Sequence, residues 1–193
     1  MFIKTTFSAA ALLVLTACAS SLSAPAAPFS HTSMPAPSAG FSQAGLPAAV
    51  QVPAGHKVAM ETVGVGQITY ECRAKKDMAG HEWVFVGPDA KLMSRSGQIV
   101  GKYYGPPATW ESMDGSKLTG TQVAVAPAAA GAIPLQLVKA NPAMGMGAMQ
   151  GVTYIQRVAT QGGVAPAMLC DGSKVGTQQI VNYQADYILW KAA

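Results

Sequence analysis

Charge is what this sequence has least of. Asp, Glu, Lys and Arg together make 11% of it, for a net charge of +4, and the densest basic group is only Arg73-Ala74-Lys75-Lys76. A nucleic-acid partner demands a basic stripe or patch, so nucleic acid is not an expected partner. Histidine is nearly missing as well, at His31, His56 and His81 alone. None sits in H-x-H or H-E-x-x-H, and His81 and Glu82, adjacent on a strand, point to opposite faces, so no metal site is expected. There is no G-x-S-x-G elbow and no Gly-rich dinucleotide fingerprint, so neither a catalytic residue nor a cofactor is assigned. No apolar run reaches the roughly 20 residues that a membrane-crossing helix needs. No stretch of ten or more residues keeps a helical period.

What is present begins at the N-terminus. Lys4 precedes a short apolar segment, about Phe7 to Leu15, and small residues follow it. That is the form of a secretory signal peptide, here residues 1–17. Leu15-Thr16-Ala17-Cys18 resembles the lipobox of bacterial lipoproteins, in which the cysteine is acylated and becomes the new N-terminus. The resemblance implies lipidation of Cys18, a membrane partner through the lipid anchor, and an exported protein at the outer membrane or in the periplasm. Ala19, where an Asp would favour the inner membrane, points outward. The alternative is plain secretion after cleavage at Ala17-Cys18-Ala19. Stable anchoring needs two or more acyl chains, and mature bacterial lipoproteins carry three.

Residues 18–47 are rich in Ala, Ser and Pro with almost no charge. Such a segment cannot bury enough apolar area to offset its ordering entropy, and reads as a flexible tether. His31 lies in it. Residues 48–193 are long enough for one domain with a real core. The remaining cysteines, Cys72 and Cys170, are not in a C-x-x-C pair, and two thiols in an exported domain predict a disulfide.

The domain reads as β throughout. Gln67 to Arg73 alternates cleanly, with Ile68, Tyr70 and Cys72 on one face, and Trp83 shares a face with Phe85. Further strand-like runs are His56 to Val63, Leu118 to Val125, Ile133 to Lys139, Val152 to Ala159 and Ile180 to Trp190. Gly87-Pro88-Asp89, Ser96-Gly97, Gly162-Gly163 and two copies of Asp-Gly-Ser-Lys, at 114–117 and 171–174, read as turns. Asn141 to Gly151, dense in glycine, reads as an exposed loop. Met144, Met146 and Met149 within it offer thioethers that suit Cu(I), but no His or Cys supports them. The fold class expected is all-β: a single-domain antiparallel sandwich or barrel of many short strands.

Several stretches resemble a known family: VPAGHKVAMETVGVGQITYEC, HEWVFVGPDAKL, GKYYGPPATWESMDGSKLTGT, IPLQLVKA, VTYIQRVATQGGVAPAMLCDG and NYQADYILW. Together they are similar to the secreted family catalogued as domain of unknown function 3455, over about Val52 to Trp190. The resemblance implies export and β architecture, and no established activity. Family members often carry a histidine near the Gly-Pro before Trp110. Here the place reads Lys102-Tyr103-Tyr104, with none.

Most aromatic residues of a β domain fill its core. Tyr103, Tyr104 and Trp110 differ because glycines and prolines surround them, so with Glu111 they form the candidate ligand surface. The function expected is a non-catalytic binding or structural β module of the cell envelope, its envelope or extracellular ligand unknown. The alternative is an envelope hydrolase acting on glycan or ester through some of His81, Glu111 and Asp114.

Overall fold

The structure, a computed structural model, describes residues 40–193. The expected signal peptide, Cys18, His31 and most of the tether lie outside the described residues. The described part is an eight-stranded antiparallel barrel: β1 His56–Ala74, β2 His81–Met93, β3 Ile99–Tyr104, β4 Thr109–Ser112, β5 Lys117–Ala126, β6 Leu135–Ala140, β7 Val152–Gly162 and β8 Gln178–Ala192. Each strand pairs with the next, and β8 pairs back to β1, from His56↔Ala192 to Glu71↔Gln178. Closure removes most free sheet edge, the arrangement by which an all-β chain limits edge-to-edge association; the part of β2 before Asp89 and the part of β5 after Thr119 stay unpaired on the β3–β4 side. The expected β class is therefore met as a barrel.

Two glycine features that look like interruptions in the sequence are strand interior. His56–Val63 and Gln67–Arg73, expected as separate runs, form the single strand β1. Gly64 and Gly66 within it leave room for close neighbours. A Cβ at Gly64 would lie 2.5 Å from the Tyr187 ring, and one at Gly66 would collide with Asp89 O and Ala90. Gly87-Pro88-Asp89, expected as a turn, is also internal, to β2. The β1–β2 register shifts beside it, between Thr69 and Tyr70. Proline is tolerated at such irregularities because a ladder bond is already missing there.

The barrel interior follows the period of two. Ile68, Tyr70, Ala90, Leu92, Tyr103, Trp110, Leu118, Val138, Ile155, Tyr183, Ala185, Tyr187 and Leu189 form one buried cluster. A second cluster lies outside the wall, where Leu137, Val158, Ile188 and Trp190 are covered by Val50, Val52, Leu46 and Phe41. Residues 41–46, expected in the tether, thus pack on the barrel. Phe41 meets Trp190 edge-to-face at 6.2 Å. Gln156, fully buried, donates to Val50 O (2.7 Å) and Gln43 Oε1 (3.0 Å) and accepts from Trp190 Nε1 (2.9 Å). A buried amide is tolerated only when satisfied in this way.

The two Asp-Gly-Ser-Lys tetrapeptides share one piece of chemistry. Asp114 Oδ1 accepts from Ser116 N and Oγ, and Asp171 Oδ1 accepts from Ser173 N and Oγ. Their backbones diverge. The first is the β4–β5 hairpin, with Gly115 at φ +85°, whereas the second forms a 3-10 turn at Gly172–Lys174 instead of a hairpin.

The segment 141–151 is a largely exposed loop, as expected, with one exception. It folds back over the barrel end and inserts Met149, 1% exposed, into the core. Met144 and Met146 stay at the surface, so the three thioethers do not converge. Asp114 pins this flap through Ala148 N (2.7 Å), and Ser116 Oγ accepts from Met149 N (3.1 Å).

Those bonds hold the Asp114 carboxyl down to about 2, the Ser116 hydroxyl contributing most and the Ala148 amide next. A depressed folded-state value stabilises the fold above the unfolded value near 3.9 and loses that contribution as pH falls toward 2. Wild type should therefore melt above Asp114→Ala at pH 5, with the gap in Tm closing between about pH 4 and 2. Thermal melts across pH 2–6 check this. A gap that is constant with pH would remove the carboxylate from the flap's support.

Candidate functional site

The meander sorts the turns onto two ends. The β1–β2, β3–β4, β5–β6 and β7–β8 connections share one end, and the other three connections share the opposite one. The first end carries the Cys72–Cys170 disulfide, with the Cα atoms 5.6 Å apart. Flanking backbone bonds run from Cys72 N to Thr177 O (3.0 Å) and from Gly176 N to Cys72 O (2.9 Å).

This end is the open one. β3 and β4 are only six and four residues long. Pairing of β2 with β3 stops at Asp89↔Tyr104, and pairing of β4 with β5 begins at Thr109↔Thr119. The wall therefore dips between β2 and β5, bridged by Gly105-Pro106-Pro107, where both X-Pro bonds are cis. Behind the dip lies a cavity of about 360 Å³. Phe85, Pro88, Pro106, Tyr103, Trp110 and Val138 supply its apolar walls, and Gln122, Gln136 and Arg157 its polar groups.

The four residues expected to form one ligand surface divide between two faces. Tyr103 and Trp110 are opposite each other in the β3–β4 ladder and both point inward, 6% and 1% exposed. Their rings stack at 4.7 Å, and Tyr103 also meets Tyr187 at 4.9 Å. The expectation that the loop exposes them is corrected: they are strand residues, and their period of two sends them into the barrel. They reach a ligand only through the cavity. Tyr104 and Glu111 lie on the outer face. Tyr104 donates to Glu111 Oε2 at 2.7 Å, and Lys102 approaches Glu111 at 3.3 Å and lies over the Tyr104 ring at 5.1 Å. The shared hydrogen bond raises the Tyr104 phenol and lowers the Glu111 carboxyl. Exposed triads of this kind add little stability.

The hydrolase candidates are not brought together. His81 opens β2 at the disulfide end beside Gly172, Glu111 is on the outer wall, and Asp114 is in a turn at the opposite end.

Arg157 is the residue that sequence reasoning missed. It shares a strand face with buried Ile155 and pairs across from Gln136. Its Nε and Nη2 donate to Pro134 O at 3.2 and 2.9 Å. Among the described residues it makes no ion pair, in contrast to Arg73 and Arg95. The signal was legible: a lone cation on the apolar face of a strand asks what neutralises it. Trp110 adds a second unmet group. Its indole Nε1 is buried with no hydrogen-bond partner among the described residues, which is unusual for a buried donor.

The interior phenols are not bases in waiting. Burial is the leading cause that pushes Tyr70, Tyr103, Tyr183 and Tyr187 upward. They stay protonated and act as neutral hydrogen-bonding groups: Tyr70 donates to Gly163 O at 2.8 Å, and the Tyr183 and Tyr187 hydroxyls lie 3.2 Å apart. A larger depression of about 760 Å³ runs over the outer face of β1, β2, β7 and β8. It is an open groove edged by Gln67, Gln161, Asn182 and Gln184, shallower than the mouth.

A family model described as "Protein of unknown function (DUF3455)" matches residues 53–98 and 94–191, which is more than half of the chain. No curated protein and no solved structure matches the chain significantly.

Proposed function

We propose a function for a chain that belongs to the DUF3455 family of proteins of unknown function: it is a non-catalytic binding module of the cell envelope, lipid-anchored through Cys18, that takes a small ligand into the barrel mouth. The observation that carries this reading is the Arg157 guanidinium beside a partly enclosed cavity, with no carboxylate among the described residues to neutralise it. A cation drawn partly out of water without a counter-charge costs free energy. An incoming anion recovers that cost. Apolar walls with a few convergent polar groups are the usual form of a small-molecule site.

The non-catalytic half of the reading is supported by the separation of His81, Glu111 and Asp114, and by interior phenols that burial keeps neutral. Location is supported by the leader ending in Leu15-Thr16-Ala17-Cys18 and by the disulfide, since such bonds persist in oxidising compartments.

Native mass spectrometry of the protein purified from envelope fractions tests the function. Wild type should carry a non-covalent small molecule that the Arg157→Gln protein lacks. Ligand-free spectra from both would leave a purely structural barrel, and release of a chemically altered compound would make it an enzyme.

A further inference from the structure

We infer that the barrel mouth selects a small aromatic monocarboxylate, its carboxylate on Arg157 and its ring against the aromatic wall formed by Phe85, Tyr103 and Trp110. This rests on the reading of the mouth as a ligand site and names the ligand's chemical class.

Three features of the cavity converge on that class. The first is charge. Among the described residues, Arg157 is the one ionic group lining the cavity. A guanidinium has five N–H donors in a planar fork. Pro134 O takes one from Nε and one from Nη2. Both Nη1 hydrogens and the second Nη2 hydrogen are left for the two oxygens of one carboxylate, the geometry that Arg recognises best. A single cation balances a single negative charge, which favours a monoanion over a phosphate.

The second feature is the sparse polar lining beside Arg157. Gln136 Nε2 donates to Gln122 Oε1, so the two amides partly satisfy each other. Arg157 is therefore the main polar attachment point, and the rest of the ligand meets mostly apolar wall.

The third feature is shape. Tyr103 and Trp110 stack at an interplanar angle of 27°. Phe85, 51% exposed, stands at the rim. Gly105 and Gly120 place no side chain in the cavity, and Pro88 and Pro106 are flat and rigid. Aromatic faces pay little conformational entropy to pack on a flat body. The volume, about 360 Å³, corresponds to about a dozen water molecules at roughly 30 Å³ each. That admits one ring with a short acid arm, and the flat aromatic lining rather than the volume favours a ring over an acyl chain.

The full chain in detergent is titrated with phenylacetate, its uncharged isostere phenylacetamide, octanoate and inorganic phosphate. The response is read from the ¹H–¹⁵N signal of the Trp110 indole, assigned by its loss in Trp110→Phe. Phenylacetate should shift the signal saturably, with phenylacetamide and phosphate at least tenfold weaker and octanoate weaker than phenylacetate. Arg157→Gln should lose at least tenfold for phenylacetate. Arg157→Lys, which keeps the charge without the fork, should retain part of the affinity and guards against a folding defect in the first variant. Equal binding of phenylacetate and phenylacetamide overturns the carboxylate assignment, and tighter binding of octanoate overturns the aromatic one. If no probe shifts the signal while the purified protein still carries an Arg157-dependent small molecule, the class is wrong and the binding module stands. If the protein also carries none, both fall.

Discussion

Replacing both Cys72 and Cys170 with alanine is expected to remove about 3–5 kcal/mol of unfolding free energy, read as a lower midpoint in urea denaturation. The two cysteines are 98 residues apart in sequence, and a cross-link closing a loop near a hundred residues removes chain entropy worth about 4.7 kcal/mol from the unfolded state. The expected loss extends below that figure because residual structure in the reduced, unfolded chain lowers the entropy gained. Domains of this size are stable by about 5–15 kcal/mol in total, so the double variant should be marginal at 37 °C. The disulfide sits at the open end, so its loss should also loosen residues 163–177 first, as faster amide exchange there than in the rest of the barrel. An unchanged midpoint would make the bond incidental to the fold.

How much of this could be read from the residues differs by element. The period of two in Gln67–Arg73 and Ile180–Trp190 is strong because one face of each strand is sealed in the barrel, so the β class and the disulfide partners were legible. Closure was not. Nothing in one strand's alternation records which strand is its second neighbour, and β1–β8 pairing is a contact between the two ends of the domain. Gly64, Gly66 and Gly87-Pro88 misled for one reason: the residues that break a strand locally are also the only ones that fit where another strand or a ring comes within contact distance. The flap at 141–151 carried the composition of a loop. It is such a loop over most of its length, and what the composition hid is its anchoring by Asp114 and Met149, which are brought to the same barrel end only in the folded chain.

The candidate site was half legible, and the half that failed is instructive. Tyr103 and Trp110 were singled out because Gly105-Pro106-Pro107 separates them, and that turn does form the low wall of the mouth. The sequence places the aromatics at the right point of the chain but leaves the face undecided. Facing is set by register, and a one-residue slip turns every side chain over. Arg157 was passed over because a single arginine among scattered charges looks like solvated surface. Only Ile155 on one side and Gln136 across the ladder show that its face is the interior one.

The pairing of Gly64 with Tyr187 gives the sharpest test of that interior. Tyr187 is fully buried against Tyr103 and Trp110, and Tyr187→Ala should cost about 3–5 kcal/mol, the range for deleting a large buried ring. Tyr187→Phe should cost only about 1 kcal/mol, since the hydroxyl makes a single long bond to Tyr183. Gly64→Ala keeps an ordinary strand backbone, so its cost is steric: the new methyl would sit 2.5 Å from the Tyr187 ring. Overpacking of that kind costs about 1–3 kcal/mol. The two changes act on one space, so the Gly64→Ala/Tyr187→Ala protein should lose less than the sum of the singles by about 1 kcal/mol or more, the added methyl filling part of the hole left by the ring. Urea denaturation of the four proteins measures the difference. Costs that add to within about 0.5 kcal/mol would mean that the glycine is there for some reason other than the ring. The same contact bears on the mouth, because the Tyr187 ring backs Tyr103 and Tyr103 lines the cavity. A variant that retains the fold but lets that ring drift should bind more weakly without losing any group that touches the ligand.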